Sequence, residues 1–118
     1  MTTSARLAQT LLLAGVESLG DCSAKSMQAA IEAFRQAISY GSDEAMAWLG
    51  AALIDQAKLR ESDAALADAT NGLGWLATAQ LAGVGLAEVF MSGAIGAVPP
   101  AAMAEWRLLP PHAQITVH

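Results

Sequence analysis

The residues able to do chemistry are few and spread thin. Both histidines, His112 and His118, fall in the tail of the 118-residue chain. Neither has a second histidine or a cysteine at metal-ligand spacing, so they read as solvated imidazoles rather than a zinc or catalytic site. The single cysteine, Cys22, has Lys25 three positions on, and a nearby ammonium favours the thiolate. No histidine stands close in sequence to act as its base, so Cys22 reads as a small inert thiol. The densest acidic group is Asp55, Glu61, Asp63 and Asp68. Carboxylates suit a hard divalent cation, but this stretch lacks the regular alternation and central glycine of a calcium loop. It reads as a solvated linker face. Gly83-Val84-Gly85 lacks the third glycine and the lysine of a phosphate-cradling loop. Trp48, Trp75 and Trp106 sit on helical stripes and read as packing residues rather than an aromatic platform. No nucleophile, base or metal set converges in sequence, so no catalytic residue, no metal and no cofactor is expected.

Composition narrows the class further. The net charge is −5, with 54% hydrophobic and 14% charged residues; about a quarter is charged in an ordinary soluble domain. Lys25, Arg35, Lys58 and Arg60 form no long basic patch, which argues against nucleic acid and against an anionic membrane surface. The length suits one domain with a modest core. So much apolar surface on so short a chain implies a face covered by a partner or by copies of itself, a homo-oligomer. One cysteine makes no internal disulfide and is compatible with a reducing, cytoplasmic compartment.

The elements that would carry any site are helical. In AFRQAISYGSDEAMAWLG, residues 33–50, one helix ends, a tight turn follows and a second helix begins. Met27, Ala30, Ile31, Phe34, Ala37 and Ile38 recur at three- and four-residue steps, so they share one helix face. Gly41 suits a C-terminal cap at positive φ. Ser42 or Asp43 suits the next N-cap, with Glu44 near the positive end of the dipole. Ala45, Trp48, Leu49, Ala52 and Leu53 form the second stripe, on a helix from about Glu44 to Lys58. Ser26 reads as the cap of the first helix. Ser62 or Asp63 would cap a short helix through Ala69, and Asn71-Gly72 would turn the chain.

Residues 1–20 have two readings. One is an amphipathic helix using Leu7, Leu11, Leu12, Val16 and Leu19; the other is a secretory signal, against which Gln9-Thr10, Glu17 and Asp21 count. Leu73 to Val98 is long and apolar enough to span a bilayer, but Gly83-Val84-Gly85 suits a turn at its middle. Glu88 would cost about 2.5–3.5 kcal/mol near the membrane centre. A buried helical hairpin is the expected reading, with a membrane hairpin as its rival. Pro99-Pro100 and Pro110-Pro111 bracket a last short helix over 100–109, and 112–118 is expected to be a flexible tail.

Sliding the chain by 42 residues lays Gly41 on Gly83, Ala37 on Ala79, Phe34 on Leu76, Ala45 on Ala87, Trp48 on Phe90, Leu53 on Ile95 and Ser26 on Asp68. Small, apolar, turn and cap positions match in type, at a period proper to helical-hairpin repeats. The first unit resembles the Sel1-like repeat, a relative of the tetratricopeptide repeat. Phe34, Ala37, Gly41, Ala45, Leu49 and Gly50 carry the likeness. In the second unit Asp68, Trp75, Ala79, Gly83 and Ala87 match, while Met91-Ser92 replaces Leu-Gly and Gly72 stands where an alanine is usual. The resemblance implies a non-catalytic adaptor that presents a groove to another protein or peptide, with first helices lining the concave face.

The expected fold is all-α: a short α-solenoid of antiparallel helical hairpins, about five or six helices, in a single domain over 1–111. Its units would cover about 26–58 and 68–97, between capping helices at 4–20 and 100–109. Glu32, Arg35, Gln36 and Tyr40 are the expected partner-binding residues. The alternatives are a small self-assembling structural protein and a membrane-associated helical hairpin.

Overall fold

A computed structural model describes residues 3–20, 23–58 and 62–97. They form five α-helices: α1 Thr3–Leu19, α2 Ala24–Ser39, α3 Asp43–Ala57, α4 Ser62–Leu81 and α5 Gly85–Ala97. Among the described residues there is no strand. α2 and α3 make one antiparallel hairpin, α4 and α5 a second, and α1 packs on the outside of α2. The helix expected over 100–109, the tail 112–118, and Cys22, Glu61, His112 and His118 lie outside the described residues.

The two hairpin turns are built alike. Gly41 has φ 101° and Gly83 φ 85°. At the first turn the Gly41 amide donates to the Ile38 carbonyl at 2.9 Å and the Ser42 amide to Ala37 at 3.0 Å. At the second, Gly83 donates to Gln80 at 3.0 Å and Val84 to Ala79 at 3.0 Å. Each is a Schellman motif, which satisfies carbonyls that the helix end leaves open and needs a residue at positive φ. The turns differ at one position. Ser42 also caps α3, its hydroxyl accepting from the Ala45 amide at 3.2 Å. Val84 has no side-chain acceptor, and the Ala87 amide turns to the Val84 carbonyl at 3.1 Å instead.

Five expectations are corrected. The N-cap of α2 is Ser23, whose Oγ accepts from the Ser26 amide at 3.1 Å; Ser26 lies within the first turn. Asp68 lies inside α4, so the matched pair Ser26 and Asp68 are not caps. The unit bounds shift accordingly, since α2 begins at Ala24 and α4 at Ser62. Asn71-Gly72 is no turn: α4 runs through it without a break, because Gly72 is where α3 and α4 cross. On the expected face of α1, Leu12 is buried and Leu11, Val16 and Leu19 pack against the core, but Leu7 is 42% exposed and Ala8 and Gly15 are buried in addition. Gly15 is small because the Phe34 ring sits against it.

α3 is the centre of the molecule and meets all four other helices. The expected stripe, Ala45, Leu49, Ala52 and Leu53, is buried with Trp48 half-buried, but Met46, Ala47, Ile54 and Ala57 are buried as well. A helix hidden on nearly all sides must be apolar nearly all round. Two clusters flank it. One joins Leu12, Met27, Ile31, Phe34 and Leu49; the other joins Met46, Ile54, Leu73, Leu76 and Ala87. Phe34, Leu49, Leu73 and Leu76 are the largest fully buried side chains, each worth about 1.5–3 kcal/mol of burial. No described helix is long and apolar enough to cross a membrane; Gly83 splits the long apolar run into α4 and α5.

Candidate functional site

Glu32, Arg35, Gln36 and Tyr40 are all exposed on α2 or at its C-cap. Gln36 Nε2 donates to Glu32 Oε1 at 3.2 Å, so these two are already engaged along one helix face. Tyr40 caps the helix and turns toward α1, lining a hollow of about 290 Å³ with Ser4, Ala8, Gln9 and Ser42. The polar face of α2 is not continued on α4. The counterparts of Gln28, Glu32 and Gln36 are Thr70, Gly74 and Thr78. The Thr70 hydroxyl donates to the Leu66 carbonyl at 2.8 Å and Thr78 to Gly74 at 2.9 Å. Their polarity is spent on their own backbone, and a polar groove running along both first helices is not formed by these residues.

The larger cleft is elsewhere, on the side where α1, α3 and α5 lie next to one another. It measures about 350 Å³, within the range of ligand-holding clefts. Trp48, Ala51 and Ile54 of α3, Val89, Phe90 and Gly93 of α5, and Leu19 of α1 make its walls. Asp55 and Lys58 stand at its edge, paired at 3.4 Å and half exposed. A pair so open to water is worth under about 1 kcal/mol and can exchange partners readily.

The repeat builds this cleft. Trp48 and Phe90, equivalent residues of the two units, meet edge to face with centroids 5.1 Å apart and planes at 70°. Trp48 also stacks on Phe34 at 6.2 Å and 24°. The aromatic chain therefore links α2, α3 and α5. Ala51 and Gly93 are equivalent too, and both are small, so the two helices leave a gap beside the aromatic contact. Val89 is left 65% exposed at the edge.

Of these residues sequence reasoning singled out Trp48 and its match to Phe90, but read them as packing alone. Ile54 and Val89 went unnoticed, and Lys58 was read only as a scattered basic residue at a helix end. The available signal was the coincidence of two small residues, Ala51 and Gly93, one turn beyond two aromatic ones. Chemistry is sparse across the molecule: among the described residues no group of three or more histidine, cysteine or acidic side chains gathers where it could hold a metal ion. Asp55 faces Lys58. What the geometry offers is an apolar cleft with a paired charge at its lip. No family model, no curated protein and no solved structure matches the chain.

Proposed function

We propose that the chain is a non-catalytic interaction module, a short helical array of the Sel1-like kind, that binds a protein or peptide. The cleft between α3 and α5 takes the partner's bulky apolar side chain. One observation carries this: an aromatic pair from two repeat-equivalent positions, with an open apolar gap beside it and an exchangeable Asp55–Lys58 pair at the rim. Anchoring one apolar side chain in such a gap, ringed by polar residues, is how small interfaces concentrate affinity. Glu32 and Arg35 would add polar contacts on a separate face.

The test is a selection of displayed random peptides on the full chain. Recovered peptides should share a leucine, methionine or aromatic residue. Gly93→Leu projects into the gap, and a Cβ at Gly93 meets nothing within 4 Å, so it enters without an immediate clash; it should abolish their binding. Enriched peptides that bind Gly93→Leu as well as the parent would refute the cleft. Substituting Glu32 and Arg35 together should reduce binding several-fold, and unchanged affinity removes those residues from the role.

A further inference from the structure

We propose that the outer face of α1 binds the same face of a second copy of the chain, the two α1 helices lying antiparallel about a two-fold axis. The surface shares no residue with the cleft or with the hollow at Tyr40, and the proposal does not rest on the peptide-binding reading.

α1 carries two stripes of the same spacing. Ala8, Leu12, Gly15 and Leu19, at steps of four, three and four residues, face the rest of the fold; the first three are buried and Leu19 packs against the core. Arg6, Thr10, Leu13 and Glu17 repeat those steps two residues earlier, and all four are exposed. Such steps hold residues on one side of a helix and make the seam along which two helices pack. A stripe that only meets water is ordinarily polar throughout. Here Leu13 stands 58% exposed near the middle of the stripe, with Leu7 42% exposed beside it. The charges of the stripe are confined to its two ends and have opposite sign. Neither Arg6 nor Glu17 has an ion-pair partner among the described residues.

Reversed, the stripe is complementary to itself. Its steps read the same in both directions, so antiparallel copies meet layer by layer. Arg6 of one copy lies opposite Glu17 of the other, and Thr10 opposite Leu13, each layer occurring twice about the axis. A cation meets an anion, and a small side chain meets a large one. Parallel copies would instead set Arg6 on Arg6 and Glu17 on Glu17, which like-charge repulsion opposes. A different protein would match the stripe only by carrying the same pattern, whereas a second copy carries it by construction. Each copy has a net charge of −5, but Arg6 and Glu17 leave the contact itself neutral. One helix of 17 residues is a small contact beside the about 1,200–2,000 Å² of a stable complex. The dimer is therefore weak and concentration-dependent.

Sedimentation velocity of the full chain, from about 10 μM to about 1 mM, is the test. A reversible equilibrium between monomer and dimer is expected. Arg6→Glu alone and Glu17→Arg alone should each weaken it at least about tenfold, since each sets like charges together in both end layers. An equimolar mixture of these two variants should dimerise as the parent does, because every end layer again pairs opposite charges. One chain carrying both substitutions should recover for the same reason. Leu13→Asp should abolish the dimer while the helical circular dichroism stays as it was. Gly93→Leu should leave the dimer unaltered, which separates this face from the cleft. A chain that remains monomeric at about 1 mM overturns the proposal. So does a dimer indifferent to Arg6→Glu and Glu17→Arg, or a mixture of the two that fails to recover. A dimer lost with Gly93→Leu would place the contact in the cleft and overturn it as well. A monomer that floats with phosphatidylcholine vesicles, and no longer does so with Leu13→Asp, would give the face to lipid instead.

Discussion

Gly50 and Gly72 face each other where α3 crosses α4. A Cβ on Gly50 would lie 2.8 Å from the Gly72 carbonyl oxygen, and one on Gly72 would lie 2.7 Å from the Gly50 oxygen. Neither glycine can be replaced without pushing two backbones apart. Glycine inside a helix costs about 1 kcal/mol relative to alanine. Here that cost is outweighed by the close approach that buries Leu73 and Leu76 against α3.

Alanine at these two positions should therefore destabilise, against its usual helical advantage. Gly50→Ala and Gly72→Ala should each lose about 1–3 kcal/mol in urea unfolding, the usual cost of overpacking. Gly93→Ala, on an open stretch of α5, should gain about 0.5–1 kcal/mol. Equal effects at all three sites would show that the crossing is not as close as described.

The hairpin turns give a second contrast. Gly41→Ala and Gly83→Ala should each cost about 1–2 kcal/mol, because both residues hold positive φ. Asparagine should recover part of that loss. Ser42→Ala should cost about 1 kcal/mol through the lost cap on α3. The alanine losses are checked by chemical denaturation, and a cost at Gly83 near zero would argue against the second Schellman turn.

How far the sequence could be read follows from these contacts. The α2–α3 hairpin was legible in its apolar faces and its Gly41 turn, since these are local signals, but its first cap was placed at Ser26 rather than Ser23. The Gly83 turn was legible too, through the offset with Gly41. Gly72 was not legible, because Asn-Gly is a turn signal and the reason for its being helical is a neighbour, Gly50, that lies far off in sequence. On α1 the leucine and valine stripe was read except for Leu7, and Gly15 was missed for a similar reason: the Phe34 ring selects it, and no local rule ranks a glycine as core. The cleft escaped notice because it is a gap, made by what Ala51 and Gly93 lack.

Trp75 offers a test of a buried polar group. Its ring packs against both core clusters, and its Nε1 is buried with no hydrogen-bond partner among the described residues. An unpaired buried donor costs about 1–3 kcal/mol. Trp75→Phe removes that donor along with part of the ring, so the two effects should nearly cancel, leaving stability within about 1 kcal/mol of the parent. A loss of about 3 kcal/mol or more would mean that the indole N–H is satisfied in solution.

The contact between Trp48 and Phe90 is the one on which the joining of the two units can be measured. If the hairpins pack through it, Trp48→Ala and Phe90→Ala should not be additive. Edge-to-face aromatic pairs contribute about 0.5–1.5 kcal/mol beyond their burial, so the double-mutant cycle should return a coupling of that size. Trp48 also stacks on Phe34, so truncating Trp48 should cost more than truncating Phe90. The same cycle between Phe34 and Phe90, which touch through Trp48 rather than with each other, should fall well below the direct coupling. A coupling near zero for Trp48 and Phe90 would mean that the second hairpin is held by the α3–α4 crossing alone. The wall of the cleft would then be free to open, and the Gly93→Leu experiment would lose its structural basis.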